Sequence, residues 1–104
     1  MQFQSSAKTN DDKRQDLRLQ AGSWLKAARE QAGLSQRDLA TKMGALYYTF
    51  ISQIESGKGR LPADRYEIYA GALGVDKRDF AIKMLEFYEP TTYELIFNQK
   101  SGTE

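Results

Sequence analysis

Four glycines divide the middle of this 104-residue sequence into short segments, each patterned for a helix. Gly33, Gly44, Gly57 and Gly74 each follow a stretch in which apolar residues recur every three or four positions. Glycine is common just beyond the end of a helix, so each of the four is predicted to terminate one. We therefore expect an all-α domain of short helices joined by tight turns.

The pattern predicts five helices within residues 16–89, with less regular segments on either side. Residues 1–15 are polar and charged and are predicted to be a flexible tail. Residues 90–104 are a carboxy-terminal extension, in which the β-branched and aromatic run Thr91–Phe97 fits either a short strand or a helical turn. The five helices are predicted to begin at about Asp16, Ser35, Tyr47, Pro62 and Asp76.

Two of these starts carry a capping pattern. Asp38 lies three positions after Ser35, and Asp79 lies three positions after Asp76. A side-chain oxygen at the first position accepts a hydrogen bond from the amide three residues on, and an acidic side chain there can return the bond. The second and fifth helices are therefore predicted to begin at these residues.

The fifth helix is predicted to end near Tyr88, before Pro90, and it has apolar residues on two faces. One face is enough for the core of a domain of this size. The second face is either buried within the same domain or available to a partner, because helices that are apolar around much of their circumference are usually buried. The two faces are formed by Phe80, Met84 and Phe87, and by Ala81, Leu85 and Tyr88.

Two residue types are missing, and their absence argues against an enzyme. Without cysteine the chain has no disulfide or thiolate chemistry, and without histidine it has no imidazole general base. No metal site and no cofactor are expected. No apolar run approaches the ~20 residues of a membrane span, and the amino terminus has no hydrophobic signal segment, so we expect a cytoplasmic protein.

Charge is unevenly distributed along the chain, although the net charge is only +1. Residues 20–60 contain six Lys/Arg and three Asp/Glu, whereas residues 61–104 contain five and eight. A basic middle segment is compatible with phosphate contact, but it is weaker than the usual footprint of a nucleic-acid-binding protein.

The residues around the second and third predicted helices resemble those of a known family. The stretch Leu34–Ala40 (LSQRDLA), then Met43-Gly44, then Ile51–Lys58 (ISQIESGK) is similar to the Cro/repressor-type helix-turn-helix family, the XRE family of phage and bacterial regulators. The closing Ala72–Val75 (ALGV) fits as well, and the resemblance covers roughly residues 22–85. It implies a five-helix, lambda-repressor-like domain that binds double-stranded DNA.

The resemblance also implies roles for individual residues. Gln36 matches a position that anchors a backbone phosphate of DNA. Gln53 matches an exposed position of the third helix, the reading helix of this family, which contacts the bases. Arg29 and Glu55 match a structural salt bridge between the first and third helices, so Glu55 is assigned to structure. The complete set of predicted DNA-binding residues is Gln36, Arg37, Tyr47, Tyr48, Thr49, Ser52, Gln53, Lys58 and Arg60.

One departure from the family pattern affects this assignment. Gly44 and Ile51 are seven positions apart, where the common family spacing is six, so the turn holds one extra residue. The run Tyr47–Phe50 is also bulkier than usual. The two tyrosines either contact DNA or pack in the core or the loop. The cluster Lys13-Arg14 with Arg18 similarly either touches DNA beside the domain or belongs to a solvated tail.

Two functional hypotheses follow. In the first, the chain is a sequence-specific regulator that binds a palindromic operator as a homodimer, more simply as a repressor than as an activator, with a dimer surface on the fifth helix and Thr91–Phe97. In the second, the same fold is a protein-interaction module, such as an antitoxin or anti-activator, and the carboxy-terminal segment binds a protein partner.

Overall fold

A computed structural model describes residues 10–44 and 48–98 of the chain. Within these two ranges it contains six α-helices, one short 3₁₀ helix and no strand, so the predicted all-α fold is confirmed. The α-helices are α1 (Asn10–Gln31), α2 (Gln36–Met43), α3 (Thr49–Glu55), α4 (Tyr66–Leu73), α5 (Lys77–Tyr88) and α6 (Pro90–Phe97), and the 3₁₀ helix is Ala63–Arg65. No helix in the described ranges is long and apolar enough to cross a membrane.

The boundaries of α2 are set by local side-chain chemistry, as the sequence predicts. The Ser35 hydroxyl accepts a hydrogen bond from the Asp38 amide at 3.0 Å, and the Asp38 carboxylate accepts one from the Ser35 amide at 3.0 Å. The hydrogen bond from the Ser35 amide, and to a smaller extent the Ser35 hydroxyl, lowers the pKa of the Asp38 carboxyl. At the other end Gly44 has a φ of 73°, a left-handed conformation that glycine adopts without strain. Asp76 caps α5 in the same way, accepting a bond from the Asp79 amide at 2.9 Å.

The core lies between α1, α2, α3, α4 and α5, and its aromatic part is centred on Phe80. The Phe80 ring is stacked on Tyr69 at a centroid distance of 5.7 Å and is also contacted by Trp24 and Tyr66 at 6.0 and 6.1 Å. Trp24 is therefore a packing residue. Burial of these large rings and of the surrounding aliphatic side chains supplies the main stabilisation of the fold.

A close crossing fixes α1 against α3. Gly22 is buried, and a Cβ atom at this position would lie within 2.8 Å of the Ile54 carbonyl oxygen and closer still to that of Glu55. Only glycine allows the two backbones to approach this closely. The glycine weakens the helix propensity of α1, but it permits direct main-chain contact with α3.

The amino-terminal boundary of α1 differs from the prediction. The helix begins at Asn10 rather than near Asp16, so residues 10–15 are helical and not part of a flexible tail. A tertiary contact accounts for this, because the Gln15 side-chain amide donates a hydrogen bond to the Gly57 carbonyl at 3.2 Å. Residues 1–9 lie outside the described ranges.

The carboxy-terminal segment is a helix, so the strand alternative for Thr91–Phe97 is wrong. Pro90 occupies the first turn of α6, where its fixed φ and missing amide hydrogen are tolerated. The helix packs against α5, yet none of its residues is buried. Leu95 and Ile96 are 62% and 60% exposed.

Candidate nucleic-acid interface

One side of α3 faces solvent, and the other side packs against the rest of the domain. The inner face is fixed by Ile51 and Ile54, which are buried together with Leu39 of α2. Thr49 and Gln53, four positions apart and therefore on one side of the helix, are exposed. Ser52 is half-buried beside them. Three of the predicted contact residues therefore share one edge of a firmly held helix.

A buried ion pair joins α3 to α1 and α2. Arg29 donates to both carboxylate oxygens of Glu55, from Nε at 2.7 Å and from Nη2 at 3.0 Å, which confirms the predicted salt bridge. The guanidinium also donates to the Leu34 carbonyl at 2.8 Å. Because a charge pair of this kind is favourable only when its remaining hydrogen bonds are made, the additional partners matter for its stability.

Gln36 takes part in the same network. Its side-chain amide nitrogen donates to Glu55 Oε1 at 3.0 Å, and the side chain is half-buried. A primary amide has two N–H donors, so one remains for another acceptor. The structure therefore holds Gln36 at the amino-terminal turn of α2, with its orientation set by Glu55.

Tyr48 precedes α3 and lies at the surface. It is 39% exposed, and the Arg37 guanidinium carbon lies 4.4 Å from the centre of its ring. This cation–π contact joins the first turn of α2 to the start of α3. Tyr48 is thus not a core residue, while Tyr47 lies outside the described ranges and its contact with DNA stays a prediction.

The loop after α3 presents its two cations differently. Lys58 is exposed. Arg60 instead turns towards the end of α5, where its Nη1 lies 3.2 Å from Glu89 Oε2 and its guanidinium carbon lies 4.6 Å from the centre of the Tyr88 ring. The Tyr88 hydroxyl in turn accepts a bond from the Leu61 amide at 3.1 Å. Burial raises the pKa of the Tyr88 phenol, so it remains protonated at neutral pH.

Sequence reasoning missed one cation beside the reading helix. Arg65, in the 3₁₀ helix, is exposed, and its guanidinium carbon lies 6.0 Å from the centre of the Phe50 ring of α3. Phe50 adjoins a cavity of about 340 Å³ that Thr49 and Gln53 also line. The only signal in the sequence is the position of Arg65 three residues after Pro62, which places it in the first turn of the next helical segment.

These features define a helix-turn-helix domain, in which α2 and α3 are the paired helices. A family model described as helix-turn-helix matches residues 25–80, slightly more than half of the chain. The chain belongs to the helix-turn-helix family of the Cro/XRE type, whose members are DNA-binding regulators. A search of curated proteins finds no match to this chain.

Proposed function

We propose that this chain is a transcriptional repressor that binds a palindromic operator as a homodimer. The observation that carries the proposal is the exposed edge of α3, where Thr49 and Gln53 are accessible while Ile51 and Ile54 hold the helix from behind. The major groove of B-DNA is wide enough for one α-helix, and a reading helix needs this combination of a fixed backbone and free polar side chains.

Four of the predicted contacts have a defined chemical role in this proposal. Gln53 pairs with an adenine, because its amide can bond N6 and N7 together. Gln36 donates its remaining N–H to a phosphate, and Lys58 neutralises another. Tyr48, held by Arg37, lies at the edge of the groove, where a ring can pack against a thymine methyl group.

The dimer is proposed to form through α6. The exposed apolar side chains of this helix, Leu95, Ile96 and Phe97, lie next to one another in the sequence. A single domain makes few base contacts, whereas two copies about one helical turn of DNA apart double the contact set. Repression requires only that the bound dimer occlude a promoter. The proposed site of action is the bacterial nucleoid or the DNA of an infecting phage.

Selection of binding sites from a random duplex library, with purified full-length protein near physiological salt, tests the proposal. We expect enrichment of a palindrome whose half-site spacing reports the dimer geometry. Enrichment of a single, unrepeated half-site would overturn the homodimer. Weak, salt-sensitive binding with no enriched sequence would overturn sequence-specific recognition.

A second candidate function is a protein-interaction module on the same fold. The exposed Leu95 and Ile96 favour it, because contiguous apolar surface on a small protein often marks a binding site for another protein. In that case a protein partner covers α6, and α6 variants lose the partner while DNA binding by α3 is unchanged. The two functions are compatible in one molecule.

A further inference from the structure

We propose that a cleft between the first turns of α1 and the junction of α5 and α6 is a second phosphate-binding site, which holds the DNA backbone beside the segment contacted by Lys58. The proposal rests on the proposed DNA-binding function and extends it to residues outside the helix-turn-helix unit. It assigns a role to Lys13, Arg14 and Arg18, which lie upstream of the residues matched by the family model.

The position of α1 brings these cations to the loop that follows α3. The Gln15 side chain donates to the Gly57 carbonyl at 3.2 Å, and Leu19 lies directly against Gly57. Lys58 is the next residue in the loop and is exposed. The first turns of α1 therefore run alongside the loop for which phosphate contact is proposed.

The cleft itself is lined mainly by cations. It has a volume of about 650 Å³, and its charged lining residues are Lys13, Arg14, Arg18, Arg60 and the single carboxylate Glu89. Glu89 pairs with Arg60 at 3.2 Å, and Arg14 pairs with Asp11 outside the cleft at 3.4 Å. Both pairs are exposed, and ion pairs of this kind are weak enough for a phosphate to compete with them.

Arg60 connects this cleft to the reading helix. The same residue lines the cavity of about 340 Å³ beside Thr49 and Gln53 and the larger cleft at the end of α5. A DNA strand that leaves the groove at α3 therefore meets Arg60 first and the cations of α1 next. This continuity favours DNA phosphates over a free anion as the occupant.

The dimensions agree with a backbone contact. At ~1.5 Å of rise per residue, the segment from Lys13 to Arg18 spans about 7.5 Å of helix axis. Phosphates along one DNA strand are spaced ~3.4 Å apart along the duplex axis, so a segment of this length is long enough to face more than one phosphate. A free phosphate ion would occupy only a small part of a cleft of about 650 Å³.

The test compares two matched double variants of the full chain on the duplex selected above. Lys13→Ala/Arg14→Ala removes two adjacent cations from the cleft, whereas Lys77→Ala/Arg78→Ala removes two adjacent cations from the first turn of α5. Each variant lowers the net charge equally and also removes one exposed ion pair, Arg14–Asp11 or Lys77–Glu67. Affinity is measured by fluorescence anisotropy over a series of salt concentrations.

For Lys13→Ala/Arg14→Ala we expect affinity to fall about tenfold or more near physiological salt, with the slope of log K against log salt shallower by up to ~1.8. For Lys77→Ala/Arg78→Ala we expect the slope of the wild-type protein. A duplex trimmed to the selected bases lacks the flanking phosphates that the cleft would contact. Wild type and Lys13→Ala/Arg14→Ala should therefore bind it nearly alike. Equal effects of the two double variants on the full duplex would overturn the proposal.

Failure of this inference is distinguishable from failure of the proposed function. Suppose that the wild-type protein selects a palindrome and that Lys13→Ala/Arg14→Ala keeps the full salt slope. This result would overturn the phosphate-binding role of the cleft but not the proposed function. Titration with inorganic phosphate, followed by NMR of the arginine side chains, tests the other source of phosphate. Saturation of the cleft by phosphate while Lys13→Ala/Arg14→Ala binds DNA like wild type would assign the site to the free ion.

Discussion

The reading helix α3 and the terminal helix α6 are similar in length, but they are held in different ways. α3 contributes Ile51, Ile54 and Glu55 to the interior, and Glu55 is bonded to side chains from two other helices. α6 contributes no buried residue, and Tyr93 is its most protected side chain. The orientation of α3 is therefore fixed within one copy of the chain, whereas α6 leaves its apolar side chains exposed.

In the proposed function, this difference separates the part of the domain that must be rigid from the part that gains stability on association. A reading helix that moved would lose the alignment of its side chains with base edges, so its internal contacts serve specificity. An exposed apolar helix adds little to the stability of the monomer, but it adds buried area when a second surface covers it. Substitutions in α2, α3 and α6 test this contrast.

Glu55→Ala is expected to have the largest effect. It leaves Arg29 buried without its charge partner, so the free energy of unfolding should fall by roughly 3–5 kcal/mol. Urea unfolding followed by circular dichroism measures this loss. The apolar pair Arg29→Met/Glu55→Leu should recover most of the stability, because it removes both charges together. A Glu55→Ala protein as stable as wild type would show that the ion pair does not hold α3.

Gln53→Ala and Lys58→Ala are expected to affect DNA binding in different ways. Loss of Gln53 should weaken binding by about 1–3 kcal/mol and relax the preference at one position in each half-site. Loss of Lys58 should weaken binding to all sequences alike and make the salt dependence shallower. Competition assays with point-mutated sites separate the two. An unchanged sequence preference in Gln53→Ala would mean that the register assigned to α3 is wrong.

Ser35→Ala is expected to lower the free energy of unfolding by about 1 kcal/mol, because the first turn of α2 loses its side-chain cap. Ser23→Ala is the matched control, since Ser23 is an exposed serine in the interior of α1. Alanine has the higher helix propensity there, so the control should be neutral or slightly stabilising. Equal losses in the two variants, measured by thermal unfolding, would contradict a capping role.

The free energy of unfolding should depend on pH through Asp38. Its pKa is lower in the folded protein than in the unfolded chain, so its contribution to stability is complete at neutral pH. This contribution is lost as the pH falls below the ordinary range of an aspartate and through the lower folded pKa. The stability difference between wild type and Asp38→Asn should therefore shrink on acidification. A difference that stays constant with pH would argue against the carboxylate bond to the Ser35 amide.

Leu95→Ser/Ile96→Ser should have the smallest effect on the stability of the monomer, within about 0.5 kcal/mol, because both side chains are already exposed. Its expected effect is on assembly: sedimentation should show monomers at concentrations where the wild type is dimeric. Ile68→Ser, at an apolar position on α4 that is 42% exposed, is the control and should remain dimeric. A double variant that still forms the wild-type dimer would place the interface elsewhere.

Elements with local signals could be predicted from the sequence. Ser35, Asp38 and Gly44 lie within ten residues of one another, and together they determine both ends of α2. The cap at Asp76 determines the start of α5 in the same way. The ion pair between Arg29 and Glu55 joins residues 26 positions apart, and it was predictable only through the family resemblance.

Features that depend on contacts between distant residues could not be predicted. The extension of α1 back to Asn10 accompanies a bond between residues 42 positions apart, and no apolar periodicity marks residues 10–15. The pairing of Arg60 with Glu89 joins residues 29 positions apart. In α6 the β-branched and aromatic residues favour a strand locally, but Pro90 and packing against α5 make the segment helical.

Under the proposed DNA contacts, the packing at Gly22 has a consequence for the distance between the bases contacted by α3 and the phosphates contacted by α1. Because α1 meets α3 through main-chain atoms there, the packing fixes the position of α1 relative to α3. The far end of α1 carries Lys13 and Arg14. Under the proposed DNA contacts, the distance from a read base to a flanking phosphate is then set by helix geometry rather than by a flexible linker. One residue inserted between Gln15 and Leu19 would turn those cations by about 100° around the helix axis, changing the footprint while leaving every base contact in place.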